Sequence, residues 1–168
     1  MILLTVGSTY PFDRLVRTMD ELVASGCVAD EVRAQIGAGR YEPKAMSFDR
    51  FLDKPEFDLL LARSDCIVSH AGIGSITTAL QYGKPLLVVP RLRRFGEIVN
   101  DHQLATARQY ERLGHVLAAY ESDQIAQQIN RLKSFRPEPR SVNAVGVATR
   151  VADFLQTLKV AKARHCEL

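Results

Sequence analysis

Residues 65–90 read DCIVSHAGIGSITTALQYGKPLLVVP and place a strand, a glycine-rich turn, a helix and a second strand in direct succession. The apolar run at residues 65–69 has the length of a strand that is buried on both faces. A helix is predicted from Ile73 to Tyr82, where Gly83 ends it, and a strand from Pro85 to Val89. This order is typical of a parallel sheet whose strands are joined by crossover helices.

The same alternation extends to both sides of this stretch. Ile2 to Val6 predicts a first strand, and the helix after it is expected to begin at Asp13 as its N-cap and to end at Gly26. The other predicted strands are residues 31–36, 45–48 and 115–118, and the other predicted helices are residues 56–62, 101–113, 122–133 (capped by Ser122 or Asp123) and 145–158. This alternation predicts an α/β fold. Because parallel strands need crossover helices and these crossovers are right-handed, an open doubly wound sheet is the simplest arrangement. We expect a single Rossmann-like, doubly wound domain over residues 1–158, with a mostly parallel sheet of about six strands, and a basic tail over residues 159–168.

Length, charge and cysteine content exclude several classes of protein. The 168 residues suit one domain, and a formal charge of +3 is too small for a general nucleic-acid surface. Cys27, Cys66 and Cys166 show neither a disulfide framework nor zinc-ligand spacing, which favours a reducing compartment, and Cys66 is expected in the core. The apolar start reads as a strand and not as a signal peptide, and the longest apolar run, residues 85–90, is far below the ~18 residues of a membrane span. We therefore expect membrane contact to be peripheral.

Two loops at the carboxyl ends of predicted strands could bind an anion. They are residues 7–9, Gly-Ser-Thr, and residues 69–75, SHAGIGS. In an open parallel sheet, ligands bind at this edge, and the N-terminus of the following helix offers unpaired N–H groups to a phosphate. A side chain at Gly74 is expected both to block a positive φ and to fill the phosphate space. Glycines at this spacing also occur where tight strand-helix packing alone requires them, and neither the Walker A pattern nor the dinucleotide fingerprint is complete.

A third loop, residues 90–103, carries PRLRRFGEIVNDHQ. Asn100 and Asp101 have the side chains of helix caps, whereas His102 and Gln103 offer donors and acceptors that suit the hydroxyls of a sugar. Three arginines form the densest basic cluster of the chain, Arg91, Arg93 and Arg94. Two interpretations of that cluster stay open: a solvated loop, or contact with anionic lipid or with the diphosphate of a lipid-linked acceptor.

Residues 65–90, followed by NDHQLATA at residues 100–107, resemble the C-terminal, donor-binding half of family 28 glycosyltransferases. The resemblance extends over about residues 1–155, and SHAGxGS, GKPLLVVPR and NDHQ in this order are more specific together than any one of them. The chain looks most like the small subunits of two-part UDP-sugar transferases. These are the N-acetylglucosaminyltransferase subunit of the dolichol pathway and the PssE-like subunits of exopolysaccharide synthesis.

The resemblance implies a set of site residues, carried over position by position. The UDP diphosphate would be bound by Gly7, Ser8, Thr9, His70, Ala71, Gly72, Ile73, Gly74 and Ser75. The uracil and ribose would be bound by Met46, Phe48, Phe51 and Thr78, and the sugar by Asn100, Asp101, His102 and Gln103, with Arg91, Arg93 and Arg94 as candidate phosphate or acceptor contacts. Relatives commonly carry a glutamate where Thr78 stands, and a hydroxyl lacks the charge-assisted strength of a carboxylate on ribose.

The resemblance also implies a function. The chain would be the donor-binding subunit of an inverting hexosyltransferase that moves a sugar from a UDP-sugar to a lipid-linked acceptor in polysaccharide or glycolipid biosynthesis. We expect it to use no cofactor or metal, to be nearly inactive alone, and to work in the cytoplasm, at the membrane face, with a membrane-anchored partner that carries the general base. No nucleic-acid partner is expected.

Two other functions remain open from the sequence. One is a non-catalytic module that binds or senses a nucleotide-sugar through the same loops. The other is a small self-sufficient α/β enzyme, such as a phosphatase or an epimerase, with His70 as its catalyst.

Overall fold

The computed structural model describes residues 1–139, 146 and 148–156. Within them lies one sheet of six strands, all paired in parallel, in the order β3-β2-β1-β4-β5-β6. The strands are β1 Ile2–Thr5, β2 Val32–Gln35, β3 Ser47–Asp49, β4 Cys66–His70, β5 Leu86–Val89 and β6 Leu117–Ala118. The predicted α/β fold with a parallel sheet of about six strands is confirmed.

Helices join the strands and cover both faces of the sheet. They are α1 Asp13–Ala24, α2 Lys54–Arg63, α3 Ile73–Gln81, α4 His102–Arg112 and α5 Ile125–Leu132, with short 3₁₀ turns at Arg93–Phe95 and Ser122–Gln124. Residue 146 and residues 148–156 are also helical. The strand order reverses between β1 and β4, because the chain first builds outward to β3 and then returns to the other side of β1. A crevice forms at such a switch point, beyond the carboxyl ends of the strands.

The core consists of two layers, one on each side of the sheet. Successive side chains of β1 point to opposite faces, so Ile2 and Leu4 pack in one layer with the side chains of α1 and α5. Leu3 packs in the other layer, with residues of α2, α3 and α4. Because both faces are buried, the strands read as continuous apolar runs in the sequence.

The ends of several helices differ from the sequence prediction. Helix α1 begins at Asp13 with Phe12 in the N-cap position, and the Asp13 carboxylate accepts a hydrogen bond from the Arg40 N–H at 3.1 Å. Asp13 is therefore not the cap of this helix. Helix α2 begins earlier than predicted because Asp53 and Glu56 form a capping box there.

The C-terminal predictions are only partly within the described residues. A 3₁₀ turn precedes α5, so neither Ser122 nor Asp123 caps that helix. The described part of the helix predicted over residues 145–158 is helical, and its remaining residues, Cys166 and the tail predicted over residues 159–168 lie outside the described residues. Among the helices described, none has both the length and the apolar character needed to cross a membrane.

Candidate functional site

Two cavities adjoin each other at the carboxyl ends of β1, β4 and β5. The α3 cavity has a volume of about 270 Å³ and is lined by Thr5, Gly7, Ser8, Gln35, Phe51, Leu52, Phe57, Leu61, Ile67, Gly74, Ser75 and Thr78. The α4 cavity has a volume of about 240 Å³ and is lined by Val6, Gly7, Ser8, Thr9, Tyr10, His70, Arg91, Ile98, Val99, His102 and Gln103. Gly7 and Ser8 line both, so the loop after β1 lies between them.

A larger cavity, of about 600 Å³, lies at the opposite edge of the sheet. Four of its charged groups form ion pairs, since the Met1 ammonium contacts Asp65 at 2.6 Å and Lys133 contacts Asp30 at 2.8 Å, while Lys84 and Arg136 donate to backbone carbonyls. The loops predicted to bind a ligand are at the other end of the strands, and the two smaller cavities are therefore the candidate site.

The N-terminus of α3 supplies unpaired N–H groups to the α3 cavity. No side chain caps this helix, and its first internal bond runs from the Ile76 N–H to the Gly72 carbonyl at 3.1 Å. The N–H groups of residues 73–75 thus have no partner within the helix, and Gly74 and Ser75 line the cavity. A helix N-terminus with these properties attracts an anion.

The two glycines of the SHAGIGS turn are required for different reasons. Neither has a positive φ, so the expectation that Gly74 needs one is wrong. A Cβ atom at Gly72 would overlap the His70 ring, whereas a Cβ atom at Gly74 would meet no atom within 4 Å. Gly72 is thus needed for packing against His70, while Gly74 leaves open space in the α3 cavity.

The loop after β1 is held by a residue that the sequence analysis missed. Gly7 has a φ of +74°, its N–H donates to Gln35 Oε1 at 3.1 Å, and Gln35 Nε2 donates to the Gly7 carbonyl at 3.2 Å. Gln35 Nε2 also donates to the Arg50 carbonyl at 2.9 Å. An amide side chain at the carboxyl end of a strand, next to the predicted ligand-binding edge of the sheet, was the available signal. Ser8 and Thr9 follow, and they make no hydrogen bond with any other part of the chain that is described here.

His70, at the end of β4, lies between two glycine backbones. Its ring would be 3.0 Å from a Cβ atom at Gly7 and would overlap one at Gly72, and its Nδ1 is 3.2 Å from Ser69 Oγ. Burial and the nearby Arg91 charge lower the pKa of His70 to about 4. The imidazole is therefore neutral at pH 7, able to donate or accept a hydrogen bond but weak as a base.

Of the four residues expected to bind a sugar, the structure places two at the α4 cavity. His102 and Gln103 line it, and because Gln103 Oε1 accepts from the Arg91 N–H at 3.1 Å, its amide nitrogen is the group left for a ligand. Asn100 accepts from the His102 N–H at 3.1 Å, and Asp101 accepts from the Arg93 N–H at 2.8 Å. Asn100 and Asp101 hold the loop together and do not line this cavity.

The three arginines of the third loop do not act together. Arg91 is buried and lines the α4 cavity, Arg94 forms an ion pair with Glu121 at 2.7 Å, and Arg93 is exposed. The loop itself is held to α1 by Arg14, which donates to Glu97 at 2.7 and 2.9 Å.

The four residues expected to bind the uracil and ribose do not all lie at one cavity. Phe51 and Thr78 line the α3 cavity, but Met46 is buried in the core and Phe48 packs against that core, so neither lines either cavity.

Cys66 is buried as expected, and burial raises the pKa of its thiol to about 11. In the described ranges, no group of three His, Cys, Asp or Glu side chains could hold a metal ion.

Comparisons with known proteins agree on one family. The model of the glycosyltransferase family 28 C-terminal domain matches residues 1–158. The UDP-N-acetylglucosamine transferase subunit ALG13 of Mus musculus is 33% identical over 124 residues, which are 67% of this chain and 10% of that protein. The chain thus spans about a tenth of the length of this relative.

Two solved structures share the fold. The glycosyltransferase of kitacinnamycin gives a TM-score of 0.58 at 20% identity and covers 95% of this chain and 39% of its own. The NMR solution structure of ALG13 gives a TM-score of 0.56 at 20% identity and covers 89% of this chain and 93% of its own. At these identities the likeness is one of fold.

Proposed function

Because the chain belongs to the glycosyltransferase family 28 C-terminal domain family, we propose that it is the donor-binding subunit of an inverting glycosyltransferase whose donor is a UDP-sugar. The observation that carries this proposal is the pair of adjoining cavities that share the Gly7–Ser8 loop, one of them lined by the uncapped start of α3. A diphosphate at that loop would join a nucleoside in one cavity to a sugar in the other.

Each cavity fits one part of such a donor. The α3 cavity combines apolar side chains, with Phe51 at its exposed edge, and polar ones such as the Thr78 hydroxyl one turn beyond Gly74, which suits a uridine. The α4 cavity offers His102 and the Gln103 amide, which suit sugar hydroxyls. The α3 N-terminus lies where the diphosphate would be, and its N–H groups and positive potential favour that anion.

The same arrangement supports the departure of UDP. In inverting transfer, an acceptor oxygen attacks the anomeric carbon, the bond from that carbon to the β-phosphate oxygen breaks, and the acceptor proton passes to a base. The charge that develops on the leaving phosphate would be stabilised by the N–H groups at the start of α3 and by those of Ser8 and Thr9, and we propose that no divalent cation is needed. Since a base with the lowered pKa of His70 is weak, we place the general base on a second half of the enzyme.

The relatives guide the rest of the proposal. The ALG13 relatives are subunits of a UDP-N-acetylglucosamine transferase, so we propose UDP-N-acetylglucosamine as the donor and a two-part enzyme as the assembly. The partner would be membrane-anchored and the acceptor a lipid-linked sugar of glycolipid or polysaccharide synthesis, which would bring this chain to the cytoplasmic membrane face.

Calorimetry with UDP, UDP-N-acetylglucosamine and GDP tests the donor site. We expect the first two to bind more tightly than GDP, with no change when a chelator is added. Failure of UDP to bind would overturn the proposal. Tight UDP-sugar binding without transfer, even with membranes that contain a partner half-domain, would favour the sensor function.

A further inference from the structure

Arg91, just beyond β5, has a buried side chain that is bonded almost entirely to main-chain oxygens. It is 2% exposed, and its Nη2 donates to the carbonyls of Val6 and Tyr10, each at 2.6 Å. Its Nε is 3.4 Å from the Pro11 carbonyl, and its guanidinium lies 4.9 Å from the centre of the Phe12 ring.

The nearby carboxylate does not form an ion pair with this cation. Glu97 contacts Arg14 and accepts from the Leu92 N–H at 2.9 Å. Burial lowers the pKa of Arg91 to about 10, so the guanidinium still carries its charge at neutral pH. A buried charge is costly unless it is hydrogen-bonded, and here the carbonyls of Val6, Tyr10 and Pro11 accept hydrogen bonds from it.

The bonded carbonyls flank the turn that lies between the two cavities. By bonding both Val6 and Tyr10, Arg91 ties the two ends of residues 7–9 together from the α4 side. Gln35 holds Gly7 from the α3 side. Ser8 and Thr9 lie between these two anchors, exposed and lining the α4 cavity. Their N–H and hydroxyl groups are thus presented at a fixed place.

We propose that Arg91 is a positioning residue for the diphosphate of a bound nucleotide: it fixes the turn at residues 7–9 so that Ser8 and Thr9 reach the phosphates, and it places a positive charge beneath that turn. This inference rests on the proposed function. It predicts that Arg91 contributes to the affinity for the diphosphate and not to the affinity for the nucleoside.

The experiment compares UDP with uridine as ligands for the wild-type chain, Arg91→Lys and Arg91→Met. Arg112→Met is the matched control, because Arg112 is exposed at the far end of α4 and bonds Gln109. Because the turn would lose both the charge beneath it and the bonds that hold its two ends, we expect Arg91→Met to weaken UDP binding about tenfold or more. Arg91→Lys retains the charge but not the fork of donors, and we expect an intermediate loss. Uridine affinity, measured by NMR titration, should change by less than about twofold in every variant. The reason is that uridine would bind in the α3 cavity, whereas Arg91 lines the α4 cavity.

The outcomes separate the inference from the function on which it rests. If the wild-type chain does not bind UDP, the proposed function fails and the inference fails with it. If it does bind UDP, but Arg91→Lys binds UDP like the wild type, only the positioning role of Arg91 is overturned. Equal losses for UDP and uridine also overturn it, because they would mean a general structural role. Arg91→Lys keeps the test decisive should Arg91→Met not fold.

Discussion

At the scale of single residues, Gly72 and Gly74 show how two identical residues in one turn can have separate roles. The backbone at both could be adopted by any residue, since neither has a positive φ. What differs is the place that a Cβ atom would take. At Gly72 this place is occupied by the His70 ring, and at Gly74 it is open. The sequence could predict that glycines belong in this turn, but only the positions of neighbouring atoms distinguish packing from ligand space.

Gly74→Ala should therefore weaken UDP binding without harming the fold. The added methyl group would occupy space that we assign to the nucleotide, while alanine in place of glycine within a helix is worth up to about 1 kcal/mol in stability. Thermal unfolding and calorimetry on the same protein give both quantities. Gly72→Ala is the contrasting variant, expected to lower the melting temperature because of its overlap with His70. Unchanged UDP affinity in Gly74→Ala would remove the α3 N-terminus from the site.

Gln103→Ala should reduce the affinity for a UDP-sugar more than the affinity for UDP. Gln103 lines the proposed sugar cavity and its amide nitrogen is the group left for a ligand, so the variant would leave a sugar hydroxyl without its partner. The variant also loses the hydrogen bond that the Arg91 N–H donates to Gln103 Oε1, so a stability loss of about 1 kcal/mol is expected as well. His102→Ala serves as the comparison in the same cavity. Calorimetry that finds equal losses for both ligands would show that Gln103 acts through the loop alone.

At the scale of elements, the interior strands and helices could be predicted better than the edges. β1, β4 and β5 are buried on both faces, and their apolar runs fix them within one or two residues. β3 lies at the sheet edge, has three residues and was expected two residues too early. At an edge, the boundaries depend on long-range bonds that no local pattern records, such as the ion pair from Arg33 to Asp49 at 2.6 Å.

Asp20 in α1 organises the connection between β2 and β3. It is 4% exposed and accepts from the Tyr41 hydroxyl and from the N–H groups of Lys44 and Ala45. Burial alone would raise the pKa of this carboxyl, but the hydrogen bonds outweigh it, so the pKa is lower than the ordinary 3.8. Its stabilisation is therefore present above pH 3.8 and is lost as the pH falls through the lowered value.

Asp20→Asn should destabilise the protein by about 1–3 kcal/mol at neutral pH, because an amide nitrogen would face N–H donors. The difference from the wild type should shrink as the pH falls below the ordinary carboxyl value, where the wild-type side chain also becomes protonated. Urea unfolding at pH 7 and at a series of acidic values measures this. A difference that stays constant over the whole series would contradict the assigned role. Asp58→Asn in α2 provides the control, because the Asp58 side chain is 33% exposed and pairs with the exposed Lys54.

At the scale of the whole molecule, the fold followed from alternation and handedness, while much of the site did not. Strands joined by right-handed crossovers leave few topologies, so the place of the crevice could be predicted from the order of the elements. The roles of Gln35 and Arg91 could not, because each depends on a side chain that reaches a carbonyl 28 to 85 positions away in the chain. Met46 is likewise predicted to bind the ligand but is buried in the core, because its surroundings come from distant parts of the chain.

The helical segment at residues 148–156 and the exposed side chains of Arg93 and Arg94 are the surfaces that we expect to dock a second, membrane-anchored half of the enzyme. Val151 and Leu155 are four residues apart on one helical face and are 53% and 52% exposed. Apolar side chains with this spacing suit packing into a partner's groove.

Val151→Asp combined with Leu155→Asp should therefore abolish sugar transfer while leaving UDP affinity unchanged. The reason is that the segment lines neither cavity, so the charges would act on assembly and not on the donor. The measurement is transfer from UDP-N-acetylglucosamine to a lipid-diphosphate sugar, with and without membranes that contain the partner half-domain. Lys54→Asp, an exposed change on α2, controls for added negative charge. The isolated wild-type chain should be nearly inactive in the same assay, because a pKa of about 4 makes the His70 imidazole too weak a base to activate the acceptor. Robust transfer by that chain alone would contradict the two-part enzyme and return His70 to consideration as its catalyst.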